Sequence, residues 1–421
     1  MKLRRLLRHA VVQNAGALYA LRGATFFVPA LTIPYLARVL QPGAWGLVMI
    51  CQSFGAWSGL VVEYGYGFTA TRDVARNRHD PQELSRTVAS VMAARAFLAL
   101  VTVTAALAVG FIVPTMARKP HYLALGIIAG AAQGFAPVWY FQGKEQMAFA
   151  TGIAIALRIV AAGGVFVLIR GPSDAWIVLM LEAVASVSCA TFLTMSVYRQ
   201  VPFAPATLGG VISALRTGST MFIFRCAAGL YSTANVTILG IFVSPALVAL
   251  YGGAERINRL ALAAIDPLSQ ALFPRMAHLT SSDPARAARV VRQVLVAMVL
   301  LGIMAALLAY SLAPLAVRVL LGQAYQQSVP ILRVLSISIP LIAMGTALGV
   351  LYAVPLGLDG AFTTIVTLAG IVNCLLAVVL VPRFGPIGMA VAVDGAEFMV
   401  VVGLLFVLYR HSSRAPALPA L

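Results

Sequence analysis

The stretch GALYALRGATFFVPALTIPYL, residues 16–36, is almost wholly apolar and yet contains Arg22. About 20 apolar residues are enough for a helix to cross the hydrocarbon of a membrane. An arginine at the bilayer centre costs at least ~2.5 kcal/mol on insertion scales, so its side chain is expected to face protein, water or a ligand. The stretch therefore predicts a membrane-spanning helix whose arginine is either paired or functional.

Similar apolar runs recur along the whole chain. Of its 421 residues 61% are hydrophobic and 10% are charged, which is more apolar surface than a soluble core can bury. The basic, then apolar N-terminus is similar to a secretory signal, but Asn14 and Arg22 interrupt the run, so it is taken as the first span. We therefore predict an all-α polytopic membrane protein with about twelve transmembrane helices. The predicted spans are residues 11–36, 43–70, 87–113, 121–140, 148–170, 175–197, 214–242, 246–273, 290–317, 330–353, 360–381 and 386–409.

The basic residues lie mainly in the short connections between the apolar runs. The net charge of +17 would by itself suggest nucleic acid, but this distribution follows the positive-inside rule and no nucleic-acid partner is expected. If the N-terminus is inside, seventeen of the thirty Lys and Arg residues fall in inner segments and six in outer ones. This bias predicts that both termini are cytoplasmic.

The sequence repeats itself at an offset of 203 residues. Arg22 aligns with Arg225, and without any gap five further pairs follow: Pro42 with Pro245, Glu63 with Asp266, Arg72 with Arg275, Asp80-Pro81 with Asp283-Pro284, and Arg86 with Arg289. The repeat predicts two six-helix bundles, residues 1–205 and 206–421, related by an axis along the membrane normal. Transporters with such parallel repeats bind substrate between their halves, so Arg22 and Arg225 are expected to face a central cavity.

The charges inside the spans are candidates for substrate binding, ion coupling or helix pairing. Glu255 and Arg259 are predicted to form an i, i+4 ion pair, and Asp394 and Glu397 share a helix face on which a proton or a cation can bind. Helix pairing remains open for each of these charges, including a pair of Glu182 with Arg158. The candidates for a cationic substrate cavity are Arg22, Arg95, Arg158, Arg225, Arg256 and Arg259. The candidates for ion coupling or ion pairing are Glu63, Glu182, Glu255, Asp266, Asp394 and Glu397.

Signatures of catalysis and metal binding are missing from the sequence. The four cysteines are isolated, the five histidines form no metal-like pair, and neither GxxxxGK[ST] nor HExxH occurs. We therefore expect no enzyme activity, no cofactor and no metal site. An ATPase in a separate partner chain stays open. The segment VWYFQG, residues 138–143, is typical of an aromatic belt at the membrane interface.

Six phrases of the chain resemble motifs of Wzx-type polysaccharide flippases, in the polysaccharide transport branch of the multidrug/oligosaccharidyl-lipid/polysaccharide exporter superfamily. They are PYLARVLQPGAWG (34–46), WYFQGKEQM (139–147), VSPALVALYGGAERI (243–257), PLSQALFPRM (267–276), LGQAYQQSVPILRVLSIS (321–338) and FGPIGMAVAVDGAE (384–397).

The resemblance implies translocation of undecaprenyl-diphosphate-linked oligosaccharide repeat units by alternating access, from the cytoplasmic to the periplasmic leaflet of the bacterial inner membrane. Such transport serves O-antigen or exopolysaccharide biosynthesis. The implied partners are the lipid-linked glycan, membrane lipids, a polysaccharide polymerase and glycosyltransferases. The resemblance also implies twelve helices in two bundles around a cationic cavity. None of the three lysines lies well inside a span, so that cavity would depend on arginine.

Two other functions compete with flipping. A cation-coupled drug or metabolite antiporter of the same superfamily would favour a cavity dominated by carboxylates. A membrane scaffold for glycan assembly would have no need to bury charges. A diphosphate, in contrast, suits the planar fork of arginine, which donates two parallel hydrogen bonds. The paired arginines therefore favour the flippase hypothesis.

Overall fold

The computed structural model describes the backbone of residues 2–112, 119–263, 266–282 and 284–414. It describes side chains between residues 28 and 411, with short gaps. These described residues form helices and contain no strand. Contacts divide the chain into two compact units, Met1–Cys226 and Ala227–Leu421. The predicted boundary between two six-helix bundles at residues 205 and 206 stays a prediction.

Unit 1 contains seven α-helices and most of an eighth within the residues described. Two of these helices begin with proline, at a position where the missing N–H costs no hydrogen bond. Proline also occurs in the first turn of helices in unit 2. The helices are α1 (Lys2–Glu63), α2 (Tyr66–Arg76), α3 (Pro81–Ile112), α4 (Pro120–Phe135), α5 (Val138–Gly143), α6 (Met147–Leu168), α7 (Ala175–Gln200) and α8 (Leu208–Ser232), which crosses the unit boundary.

Unit 2 continues with shorter helices and one long one. A π-helix over Thr346–Ala353 follows α15 directly. The α-helices are α9 (Ala234–Phe242), α10 (Pro245–Leu262), α11 (Asp266–Ser282), α12 (Pro284–Ser311), α13 (Ala313–Leu320), α14 (Ser328–Leu335), α15 (Ser338–Gly345) and α16 (Asp359–Arg414).

Eight segments of the described chain are long and apolar enough to cross a membrane, which confirms the predicted polytopic all-α fold. Two helices each contain a sharp bend. α1, 62 residues long, bends at Gln41 with φ of 58°, and α16, 56 residues long, bends at Gly385 with φ of 56°. Each therefore supplies two successive straight helices, as the predicted spans on either side of these residues require.

The sequence repeat reappears in the positions at which helices begin and end. Pro42 follows the bend in α1, and Pro245, 203 residues later, begins α10. The same offset relates Pro81, the first residue of α3, to Pro284, the first residue of α12. Equivalent residues therefore start equivalent helices in both halves of the chain, as a duplication requires.

In unit 1, α1 and α4 approach each other closely, and glycines form the contact. A Cβ atom added to Gly59 would lie 2.7 Å from the carbonyl oxygen of Gly130, and one added to Gly55 would overlap the carbonyl of Gly126. Gly134 in turn faces the backbone of Gly59. Glycines four residues apart on both helices let the two backbones touch, which is the way small residues drive helix association in membranes.

The aromatic segment of α5 corrects one prediction from the sequence. Trp139, Tyr140 and Phe141 are fully buried in the core of unit 1, together with Tyr66 of α2. They form no belt at an interface, because the six-residue helix α5 is folded between α2 and α6 instead of continuing α4 as a straight span.

Candidate functional site

The first candidate site lies in unit 1, where the helix that begins at Pro42 breaks. Tyr64 and Gly65 both have left-handed backbone conformations, with φ of 50° and 77°. Such a break frees backbone N–H groups, which need partners inside a membrane. The Glu63 carboxylate supplies them, because it accepts hydrogen bonds from the N–H of Gly65 at 3.2 Å and of Gly67 at 2.7 Å. Glu63 therefore stabilises the start of α2.

Helix α8 packs directly on this break and brings an arginine to Glu63. The Nε of Arg225 lies 3.3 Å from Oε2 of Glu63, and the two side chains are 41% and 19% exposed. The ring of Phe222 stacks on Tyr64 with centroids 4.5 Å apart. We call Glu63, Tyr64, Gly65, Phe222 and Arg225 the break cluster. It joins one predicted coupling carboxylate to one predicted substrate arginine.

Arg95 of α3, another predicted cavity residue, lies in the core of unit 1 with only 1% of its surface exposed. Its Nη1 donates hydrogen bonds to the carbonyl oxygens of Phe135 at 3.2 Å and Ala136 at 3.0 Å. The guanidinium also stacks on the rings of Tyr66 and Trp139, at 5.5 and 5.8 Å. It therefore supplies donors to carbonyls at the end of α4, and its predicted role in substrate binding stays a prediction.

Two further predicted residues lie on α6 and α7 of unit 1. Glu182 accepts a hydrogen bond from Nε2 of Gln52 at 2.5 Å, so the α7 carboxylate is bonded to α1. Arg158 on α6 is half-buried, and it lies close enough to Cys189 of α7 for an electrostatic interaction. The predicted pair of Glu182 with Arg158 stays a prediction.

In unit 2, α10 contains the ion pair that its sequence predicts. Nη2 of Arg259 donates to Oε1 of Glu255 at 2.8 Å, one helical turn apart, which confirms the expected i, i+4 pair. Arg256 on the same helix is half-buried, and it lies close enough to the buried Tyr325 for an electrostatic interaction. Both arginines remain candidates for substrate binding, whereas Glu255 is already committed to Arg259.

A second candidate site in unit 2 consists of uncharged amides around the carboxylates of α16. Nδ2 of Asn373 donates to Oδ1 of Asn235 at 2.8 Å, and Nδ2 of Asn258 donates to Oγ of Ser338 at 3.0 Å. Asp394 accepts a hydrogen bond from the backbone of Ser338. We call Asn235, Asn258, Ser338, Asn373 and Asp394 the amide cluster.

Three acceptor oxygens of the amide cluster remain without a hydrogen-bond donor among the residues that the structure describes. They are Oδ1 of Asn258, Oδ1 of Asn373 and Oδ1 of Asp394. Glu397, the other predicted coupling residue of α16, is also buried. Buried acceptors without donors are costly, so the amide cluster is suited to a bound proton or cation.

Asn235 and Asn373 are not among the candidates predicted from the sequence. A signal for both exists, because each is an amide inside an apolar run, and polar side chains in spans commonly mark functional sites. Two candidates lie outside the described side chains: Arg22, within α1, and Asp266, the first residue of α11.

Sequence comparison finds relatives along nearly the whole chain. A family model described as polysaccharide biosynthesis protein matches residues 11–280. A protein of Escherichia coli (strain K12) named "Putative O-antigen transporter" is 25% identical over 402 residues, which cover 95% of this chain and 97% of that protein. A protein of Shigella dysenteriae with the same name is 25% identical over 407 residues, covering 93% and 98%.

Solved structures show the same fold. "Lipid II flippase MurJ, inward closed conformation" superposes with a TM-score of 0.72 at 12% identity, over 93% of this chain and 87% of that one. An inward-facing multidrug resistance MATE family transporter of the MOP superfamily has a TM-score of 0.67 at 14% identity, over 93% and 96%. Together with the sequence relatives, these matches confirm the resemblance that the sequence motifs indicated.

Proposed function

The chain belongs to the polysaccharide biosynthesis protein family, and from this premise we propose that it flips lipid-linked oligosaccharides across the bacterial inner membrane. The substrate is an undecaprenyl-diphosphate-linked repeat unit, carried by alternating access from the cytoplasmic to the periplasmic leaflet for surface polysaccharide biosynthesis. The names of the two bacterial relatives and the fold shared with a lipid II flippase support this proposal.

The observation that carries the proposal is the partly exposed Arg225 in α8, within the span predicted from the sequence at residues 214–242. Its side chain is 41% exposed although the neighbouring residues of α8 are largely apolar. A guanidinium in a site of low dielectric binds phosphate through short, charge-assisted hydrogen bonds, often in pairs. The anionic diphosphate head of the substrate therefore has a matched cation, while its apolar isoprenoid tail stays in the lipid.

The hydrogen bonds of Glu63 lower the free-energy cost when Arg225 leaves it to bind a diphosphate. When Arg225 turns from Glu63 to a diphosphate, the carboxylate keeps the hydrogen bonds from the N–H groups of Gly65 and Gly67. The negative charge also remains at the N-terminus of α2, where the helix dipole stabilises it. Glu63 therefore holds Arg225 when substrate is absent and releases it without becoming a bare buried charge.

We propose the amide cluster of unit 2 as the place where a coupling proton or cation acts. Its three buried acceptor oxygens and the carboxylates of α16 support this assignment. In proteoliposomes, Asp394→Asn is expected to abolish the response of flipping to an imposed sodium or proton gradient. A variant that keeps the wild-type response to both gradients excludes Asp394 from coupling.

The experiment that tests the function combines a gene deletion with purified protein. Deletion in a host without a second flippase is expected to leave lipid-linked repeat units on the cytoplasmic leaflet and to remove the surface polysaccharide. Purified protein in liposomes is expected to expose a labelled polyprenyl-diphosphate-linked saccharide to an impermeant glycosidase on the opposite side. Normal surface polysaccharide in the deletion strain contradicts the proposal.

The alternative, a cation-coupled antiporter for drugs or metabolites, predicts a different result in the same liposomes. Such a protein would move a cationic dye against a sodium or proton gradient and leave the lipid-linked saccharide in place. Transport of the dye without movement of the lipid-linked saccharide would therefore contradict the flippase function and support the antiporter function.

A further inference from the structure

Unit 1 contains a cavity of about 200 Å³ whose lining includes Arg86 but none of the arginines predicted to bind substrate. It lies between one face of α2, one of α3 and one of the N-terminal part of α8, where the lining residues follow the three- and four-residue spacing of a helix. Half of its twelve lining residues carry a hydroxyl group. They are Tyr66, Thr69, Thr87, Ser90, Ser213 and Thr217.

One lining residue of this cavity, Tyr66, has a hydroxyl group that needs a hydrogen-bond partner. Tyr66 is fully buried, and its hydroxyl oxygen has no hydrogen-bond partner among the described residues. A buried hydroxyl that lacks a partner costs free energy, so native proteins rarely keep one without a reason. Because Tyr66 lines the cavity, a ligand there can supply the missing partner.

The charges that line the cavity favour a sugar over an anion. Arg86 offers donors and Asp73 offers acceptors, and each has an ion-pair partner close in sequence, Glu83 for Arg86 and Arg72 for Asp73. A diphosphate would be repelled by Asp73. A sugar ring carries hydroxyl groups that both donate and accept, which matches a wall of hydroxyls with one cation and one carboxylate.

We infer that this cavity binds one sugar ring of the lipid-linked glycan and thereby selects which glycan is carried. The inference rests on the proposed flippase function and adds a specificity site to it. The cavity lies near the connections 77–80 and 201–207, which the charge distribution predicts to be cytoplasmic. Glycosyl transfer to a lipid carrier must supply the substrate on that side, so its sugar would be recognised before it crosses.

Two neighbouring glycines at the start of α8 provide a matched test. A Cβ atom added to Gly210 would lie 2.5 Å from Oγ of Ser90 and would narrow the cavity, whereas one added to Gly209 meets nothing within 4 Å. Gly210→Ala and Gly209→Ala therefore make the same chemical change on the same helical turn, and only the first affects the cavity. Thr217→Val, which removes one hydroxyl at almost constant volume, serves as a second cavity variant.

The measurement is the ratio of two dissociation constants for protein in lipid nanodiscs. One probe is a polyprenyl diphosphate without sugar, and the others are the same lipid with a single glucose, galactose, N-acetylglucosamine or rhamnose. Wild type and Gly209→Ala are expected to bind at least one sugar-bearing probe roughly tenfold more tightly than the sugarless lipid. In Gly210→Ala and Thr217→Val this ratio is expected to fall to within about twofold of one.

Two results would overturn the inference. One is an unchanged ratio in Gly210→Ala and Thr217→Val, and the other is a ratio of one for every sugar in the wild type. Failure of the proposed function is seen separately, because wild type would then flip none of the lipids in liposomes. A protein that flips lipids with unchanged sugar preference in the cavity variants keeps the function and loses only this site.

Discussion

At the scale of single residues, mutation can distinguish two alternative roles of Arg225, binding of diphosphate and support of the helix break. If it binds diphosphate, Arg225→Ala is expected to lower substrate affinity roughly ten- to a hundredfold at normal abundance, because a hydrogen bond to a charged group contributes ~1.5–3 kcal/mol. Arg225→Lys should restore only part of this, since lysine lacks the guanidinium fork. Abundance in the membrane and flipping in liposomes are measured together. Arg22, its equivalent in the repeat, is expected to behave in the same way.

A purely structural role of the ion pair between Arg225 and Glu63 predicts a different result. If Arg225 only holds α8 against the helix break, Arg225→Ala lowers abundance, and Glu63→Gln in the same chain restores it by removing the unpaired carboxylate. Such a rescue would contradict a substrate role. So would full transport by Arg225→Ala at normal abundance.

Arg95 is expected to matter for stability. Arg95→Ala leaves the carbonyls of Phe135 and Ala136 without their donor and removes a guanidinium stacked on two rings. We expect a loss of about 3 kcal/mol or more in resistance to denaturation in detergent. Arg72→Ala, at an exposed pair with Asp73, is the control and should change it by less than about 1 kcal/mol. Equal stability of the two variants would contradict a structural role for Arg95.

The sequence predicted which charged residues lie inside the spans, but it predicted few of their ion-pair and hydrogen-bond partners. Glu255 with Arg259 was predictable because helical spacing alone brings i and i+4 together. Glu63 with Arg225, and Arg95 with the end of α4, join residues far apart in the chain, and spacing carries no information about such contacts. The amides Asn235 and Asn373 were missed because only charged side chains inside the spans were candidates, whereas a neutral amide in an apolar span is also a signal.

At the scale of helices, the contact between α1 and α4 predicts which glycines are indispensable. Gly130→Ala would place a methyl group inside the backbone of Gly55, so we expect a loss of at least about 2 kcal/mol or failure to fold. Gly152→Ala and Gly163→Ala, in α6, have nothing within 4 Å of the new methyl and should be tolerated. Thermal stability and membrane yield of the three variants test this. Tolerance of Gly130→Ala would contradict the backbone contact.

Helix positions were more predictable than helix interruptions. The predicted span 246–273 begins within one residue of α10, whereas the spans predicted from 87 and from 290 begin six residues after the first residues of α3 and α12. The break at Tyr64 and Gly65 was not predicted, because it falls inside a continuous apolar run, and its partners come from α8. The four-residue spacing of Gly55 with Gly59, and of Gly126, Gly130 and Gly134, was a usable signal for the contact of α1 with α4.

At the scale of the whole molecule, the distribution of basic residues predicts the orientation in the membrane. With the four native cysteines replaced, His79→Cys in the connection before α3 should be protected from an impermeant thiol reagent added outside. Ser173→Cys, in the connection between α6 and α7, is the matched control and should react. Both positions are exposed in the structure. Labelling of His79→Cys from the periplasm would reverse the predicted orientation.

The glycine contact between α1 and α4 has a mechanical consequence. Two helices whose backbones touch over several turns cannot rotate or slide past each other without a collision of main-chain atoms, so they are expected to move as one rigid body. Beyond Gly59, the α1 part of this rigid body ends at the two left-handed residues Tyr64 and Gly65, where the regular hydrogen bonding of the helix is interrupted. Any bending of this part of unit 1 is therefore expected at these two hinge residues, beside Glu63 and Arg225.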